Sequence, residues 1–171
     1  MKRITLLSII LLAACTAWAE LPAVDQPAVC LACHSGIEED QNRSHVHTVF
    51  ADGNCADCHN PHASKHAALL TVKGQNLCLS CHEDMQDVLE RPSGHAPVVQ
   101  GECAACHDPH ASDHAGNTVA AVPGLCQNCH EAVGDWLELA VQHKPVNEGR
   151  CKTCHDVHGS EVDGLLRRPV G

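Results

Sequence analysis

Cys30-Leu31-Ala32-Cys33-His34 is the first of six copies of one phrase, Cys-x-x-Cys-His, and the spacing of those copies decides how the chain is built. The others are Cys55-Ala56-Asp57-Cys58-His59, Cys78-Leu79-Ser80-Cys81-His82, Cys103-Ala104-Ala105-Cys106-His107, Cys126-Gln127-Asn128-Cys129-His130 and Cys151-Lys152-Thr153-Cys154-His155. Every cysteine after Cys15 belongs to one of them. Two thiols at this spacing, followed at once by an imidazole, form the attachment pattern of c-type haem. The thiols join the porphyrin as thioethers and the imidazole meets the iron from one face. The expected cofactors are therefore six covalently attached haem c groups, with His34, His59, His82, His107, His130 and His155 as proximal ligands. A disulfide framework or a string of zinc knuckles would use the same cysteines. Neither explains a histidine after every second one.

The odd copies start at Cys30, Cys78 and Cys126 and the even copies at Cys55, Cys103 and Cys151, so both series advance by 48 residues each time. Gly53, Gly101 and Gly149 keep the same step, as do Ser64, Ser112 and Ser160. A fixed period of this length marks a tandem array. The expected division is a leader over 1–19, a lead-in over 20–28, and two-haem modules over 29–77, 78–125 and 126–171. Acidic residues at the start and apolar residues at helical spacing predict helices over His82 to Glu90 and Glu131 to Ala140, with a weaker turn over Ser35 to Asp40. Gly, Asn, Asp and Pro crowd the even motifs, as in Asp52-Gly53-Asn54 and Asn60-Pro61-His62, and predict loops and turns. No stretch alternates as a strand does. The expected fold is an elongated array of three modules, dominated by haem, with short α-helices, loops and little or no sheet.

Fifteen histidines less the six in the motifs leave nine. His47, His95 and His143 each lie eight residues before an even motif, and His62, His110 and His158 each lie three residues after an even motif's own histidine. Two per module for two haems is one distal ligand per iron, so all six irons are expected to be bis-histidine. A histidine three residues from a proximal ligand is badly placed for the opposite face of the same haem, and His62 is expected to serve another, that of the preceding motif. His45, His66 and His114 break the register and read as spare. Methionine is limited to Met1 and Met85, and Met85 is expected to pack against a porphyrin. Histidine pairs give lower potentials than His/Met pairs.

Lys2 and Arg3, the apolar run Ile4 to Ala14 and Ala17-Trp18-Ala19 read as a secretory signal cleaved after Ala19. Leu12-Ala13-Ala14-Cys15 resembles a lipobox, and only lipidation at Cys15 would tie the chain to a membrane. The formal charge is -10, more negative by two once Lys2 and Arg3 leave. Such a surface disfavours nucleic acid and suits a basic patch on a redox partner. Tyr is absent, Phe50 is the single Phe, and Trp136 is the only Trp beyond the leader. A conventional core is poorly supplied by such a composition. Six porphyrins would supply that apolar surface.

Gly94-His95-Ala96-Pro97-Val98-Val99-Gln100-Gly101-Glu102-Cys103-Ala104-Ala105-Cys106-His107-Asp108-Pro109-His110-Ala111-Ser112, followed by Leu125-Cys126-Gln127-Asn128-Cys129-His130, resembles the multihaem c-type cytochromes with a doubled CxxCH motif, near the cytochrome c3/c7-like class. The resemblance runs from Cys30 to Ser160, with Val157 in place of the proline and Gly159 in place of the alanine in the third module. It implies an exported electron carrier, periplasmic or at the cell surface. Its partners would be other cytochromes or a reductase or oxidase, and the resemblance leaves open a further reading, a self-assembling haem-wire subunit of a cytochrome filament or outer-membrane conduit. The rival is a multihaem reductase. That function needs an open iron, which would arise if a distal histidine, His158 first, did not bind.

Overall fold

In a computed structural model the described residues run from 24 to 171. The leader, its Ala19 cleavage site and the Cys15 alternative lie outside them. The helices are short. Asp25 caps Gln26–Leu31, its carboxylate accepting the Ala28 N–H at 3.3 Å. The region after the first motif makes one α-turn, Ser35–Glu38, that passes into a 3-10 turn, Glu39–Asn42. The helices Asp84–Leu89 and Glu131–Leu137 each lie inside the stretch that sequence patterning marks and are shorter than it. Short helices are marginal on their own and take their stability from what they pack against.

The even halves are loops around single turns: Cys55–Cys58, Cys103–Ala105 and Cys151–Thr153. After each, the chain makes a closed excursion. Asn60, Asp108 and Asp156 donate their N–H groups to the carbonyls of Leu69, Asn117 and Leu165, each at 2.7 Å. The tips turn through left-handed pairs, Ala68–Leu69, Gly116–Asn117 and Gly164–Leu165.

The sheet content is small but decides the topology. Strand β1, His45–Val46, pairs antiparallel with β3, Ala111–Ser112; strand β2, Ser93–Gly94, pairs with β4, Gly159–Ser160. In the repeat register both ladders are the same event: the segment before one even motif binds the segment after the next even motif. Each module is thereby laced to its successor. Gly53, Gly101 and Gly149 sit at φ of +72°, +75° and +64°, and a Cβ there would meet Pro27, Gln75 and Pro123 respectively, each just ahead of an odd motif and on the far side of the module bounds read from the sequence. Glycine is needed for the backbone angle and for this close approach, which holds the odd half against the even half.

Among the described residues a single apolar side chain, Ala111, is fully buried, with Ser112 and Ser160 beside the strands. No helix of the described residues is long and apolar enough to cross a membrane.

Candidate functional site

All six motifs adopt one local geometry. The N–H of the histidine bonds back to the carbonyl of the first cysteine: His34 to Cys30, His59 to Cys55, His82 to Cys78, His107 to Cys103, His130 to Cys126 and His155 to Cys151, at 2.9 to 3.0 Å. One helical turn thus puts both thiols and the imidazole on one side of the backbone. The twelve motif cysteines are unbridged among the described residues.

The even imidazoles are oriented by their other nitrogen. Nδ1 of His59, His107 and His155 donates to the carbonyls of Ala68, Gly116 and Gly164 at 2.7, 2.7 and 2.9 Å. These acceptors begin the left-handed pairs, so the strained tip is what presents the carbonyl. His95 Nδ1 donates likewise to Val157 O at 3.0 Å. A proton fixed on Nδ1 leaves the Nε2 lone pair for a metal and raises its basicity.

Eight of the twelve expected histidine ligands meet in pairs. His47 faces His82, His59 faces His110 and His95 faces His130, all with ring centres 6.1 Å apart, and His107 faces His158 at 6.0 Å. The pairings cross module boundaries. A distal histidine of the His47 kind stands opposite the next odd motif, and one of the His110 kind stands opposite the even motif of the preceding module. For the His62 kind the expected partner is the motif preceding its own, but the counterpart His110 lies opposite His59, past both its own motif at Cys103 and the preceding one at Cys78. The cause is the β1–β3 ladder, which carries His110 back beside His47. His158, in the divergent third module, is paired like the others. His34, His62, His143 and His155 have no imidazole opposite them among the described residues.

The spacing fits an iron held between two imidazoles. Two metal–nitrogen bonds of about 2 Å, with the distance from each nitrogen to its ring centre, span what the four pairs leave. Burial lowers the His47 pKa, helped by His82 and His110. Burial likewise lowers that of His158, with His107 adding to it. Both therefore favour the neutral imidazole that a metal requires. His45, His66 and His114 pair with no ring; the last two serve through backbone N–H groups donated to Ser64 and Ser112.

The cysteines follow one another in space as they do in sequence. Burial raises the thiols of Cys55, Cys78 and Cys126, and the neighbours Cys30, Cys103 and Cys151 raise them further. Burial also raises Cys58, with Asp57 and Cys81 adding to it, and Cys106, with Cys129 adding. Each motif is thus the neighbour of the next, from first to sixth. Sequence reasoning did not find the carbonyls of Ala68, Gly116, Gly164 and Val157. For the first three the one available signal is the 48-residue step they share.

A family model described as the doubled CXXCH motif matches residues 47–87, 95–135 and 143–171. Its stretches keep the 48-residue step and begin at His47, His95 and His143. The first two each enclose two motifs and one of the crossing pairs. The third encloses one motif, and the motif at Cys30 lies outside all three. No curated protein matches the chain.

Proposed function

The chain belongs to the doubled CXXCH motif family, and from this premise we propose that it is a hexahaem electron carrier whose irons are held by histidine pairs. A multihaem c-type cytochrome that transfers electrons follows from the family itself. The number of haems, the ligand set and the place of work are the finer reading. The observation that carries it is the recurrence of one ring-to-ring spacing, 6.0 to 6.1 Å, in two kinds of pair, each repeated once at the 48-residue step.

Haem supplies a one-electron couple when bound; the polypeptide sets its position and potential. Cys30, Cys33, Cys55, Cys58, Cys78, Cys81, Cys103, Cys106, Cys126, Cys129, Cys151 and Cys154 hold the porphyrins. His82 with His47, His59 with His110, His130 with His95 and His107 with His158 would hold four of the irons. At those four irons two neutral imidazoles would favour a low potential and leave no site for substrate. Carbonyls on the Nδ1 protons of His59, His107 and His155 fix those rings, so little rearranges when charge changes. The order of the attachment sites, each motif beside the next, gives an electron a path along the chain. One buried apolar side chain is too few for a protein core, which supports the porphyrins in that role. The leader supports export to the periplasm, and the acidic surface a basic redox partner.

The test is the exported, purified protein. Intact mass should show six haem additions on a chain starting after Ala19. Spectra should show at least four low-spin histidine-pair irons at low potential, with no turnover of nitrite or hydroxylamine. Fewer than six additions, or a majority of high-spin irons, would sink the reading.

A further inference from the structure

Four histidines stand without a ring opposite, and their identities are complementary. The partner of a distal histidine of the His47 kind lies 35 residues on, at His82 for His47 and His130 for His95. The partner of an even-motif histidine lies 51 residues on, at His110 for His59 and His158 for His107. The same steps taken from His143 and His155 call for a histidine of the His34 kind and one of the His62 kind. Those are the two left over at the other end of the array.

The backbone is open in the same places. His47 donates its N–H to His110 O at 2.8 Å, and His95 to His158 O at 3.4 Å, beside the two strand pairs. The equivalent edges are Val141-Gln142-His143 at one end and His62-Ala63-Ser64 at the other, and neither is in a ladder among the described residues. Burial follows pairing. Ala111 and Gly159 are buried while Ala63 is exposed; His110 and His158 are half-buried while His62 is exposed. His47 and His95 are half-buried while His143 is exposed, and His59 and His107 are half-buried while His155 is exposed.

The face leading to the open edge is apolar. Trp136, Leu139 and Val141 are 54%, 58% and 90% exposed. Their equivalents Val88, Arg91 and Ser93 are half-buried against the third module, where Val88 lies over Gly159 and Arg91 donates to Gly159 O at 2.8 Å. A cluster of apolar side chains at positions covered in the preceding module is the composition of a contact surface.

We infer that a second copy of this chain docks head to tail, pairing its His62-Ala63-Ser64 edge with Val141-Gln142-His143 of the first and setting its His34 opposite His143 and its His62 opposite His155. The inference rests on the histidine-pair reading above. The ladder repeats β1–β3 and β2–β4, with Val141 opposite Ser64 and Gln142 opposite Ala63, and adds a strand to an exposed edge. The two copies use different surfaces, so each added copy leaves a free end for another. In a lone chain the haems of the first and last motifs keep an open axial position; docking fills both at each junction.

Sedimentation and carbon monoxide titration of the full-length holoprotein decide it, using A63E and V141E, which leave every haem ligand in place. The parent protein should associate as its concentration rises, while CO-binding haems fall from two per chain toward none. Each variant alone should stay monomeric with two CO-binding haems. An equimolar mixture should stop at the heterodimer, whose one intact junction leaves on average one CO-binding haem per chain. Six haems and four low-spin irons in a parent protein that stays monomeric at its highest soluble concentration would overturn docking alone. So would association that one variant abolishes and the other does not, or a mixture that fails to associate. Fewer than six haems, or fewer than four low-spin irons in the monomeric variants, would overturn the histidine-pair reading itself.

Discussion

Replacing His110 by alanine isolates one imidazole from everything else its residue does. The ring stands 6.1 Å from His59 and 5.0 Å from Phe50. The backbone of the same residue accepts from His47 N at 2.8 Å, and its own N–H is held by Asp108 Oδ1 at 2.9 Å. Alanine keeps both backbone bonds, and with them the register of β1 on β3. The structural loss is the contact with Phe50, about 1 kcal/mol for a tilted aromatic pair. A folded domain holds about 5–15 kcal/mol in reserve, so the variant should fold and load its haems. The chemical loss is one axial ligand at one iron in six. His47 is not free to replace it, because it faces His82 at the same spacing. H110A should therefore bind one CO per chain more than the parent protein, and its low-spin absorption should fall by about one quarter, the share of one among the four histidine-pair irons of the monomer. H114A, four residues on, should change neither, and H110M should raise the potential of a single haem. Optical titration of the purified proteins at a concentration where the parent is monomeric gives all three readouts. If H110A binds no extra CO, or H114A does, ring-to-ring spacing is not reporting ligation and the pairing falls.

Three further outcomes follow from the geometry, each read from denaturant midpoints of the holoprotein. The glycine series should rank by what a Cβ meets: G101A, against the flexible end of Gln75, should cost about 1 kcal/mol from backbone strain alone. G53A, against the Pro27 ring, should cost about 3 kcal/mol, with G149A between them; equal costs would refute the packing. S112A should cost about 2 kcal/mol, because buried Ser112 accepts from His114 N and donates to Thr118 O. In the monomer S64A should cost less, because its module edge is open to water. R91A removes a bond to Gly159 O and a third-exposed pair with Asp156 at 3.1 Å, and should cost about 1 kcal/mol.

The cysteines, the period and the candidate ligands were legible because each is a side-chain requirement that recurs at a fixed step. Gly53, Gly101 and Gly149 were legible as a series for the same reason, and the structure supplies the cause: a left-handed backbone pressed on the start of the odd half. The crossing of the histidine pairs between modules was not legible. It depends on ladders two residues long, His45–Val46 with Ala111–Ser112 and Ser93–Gly94 with Gly159–Ser160, too short to show alternation. The acceptors of the Nδ1 protons were hidden differently. Ala68, Gly116 and Gly164 share a positive φ and a carbonyl, and neither is a property of the side chain. Helix lengths were overestimated at Glu131 to Ala140. The pattern there continues through Leu139, whereas the helix ends at Leu137, where Gln142 turns back to cap the carbonyls of Leu137 and Leu139.

The crossing has a consequence for how such a chain holds together. His47 is carried by the first module and faces His82 of the second; His59 of the first faces His110 of the second. If each pair closes on one iron, two coordination bridges and one short ladder fasten every module to its neighbour, and among the described residues no ladder or ring pair joins the first to the third. Stability then becomes a sum of nearest-neighbour terms, as in a solenoid, with metal ligation standing where apolar stacking usually does. Loss of one distal histidine should uncouple a single boundary and leave the other intact. H110A would loosen the first boundary and H158A the second, and the double variant should lose the sum of the two, since they share no module interface. A cost for the pair well beyond that sum would mean that the three modules share one cooperative core, which a single fully buried apolar side chain among the described residues argues against.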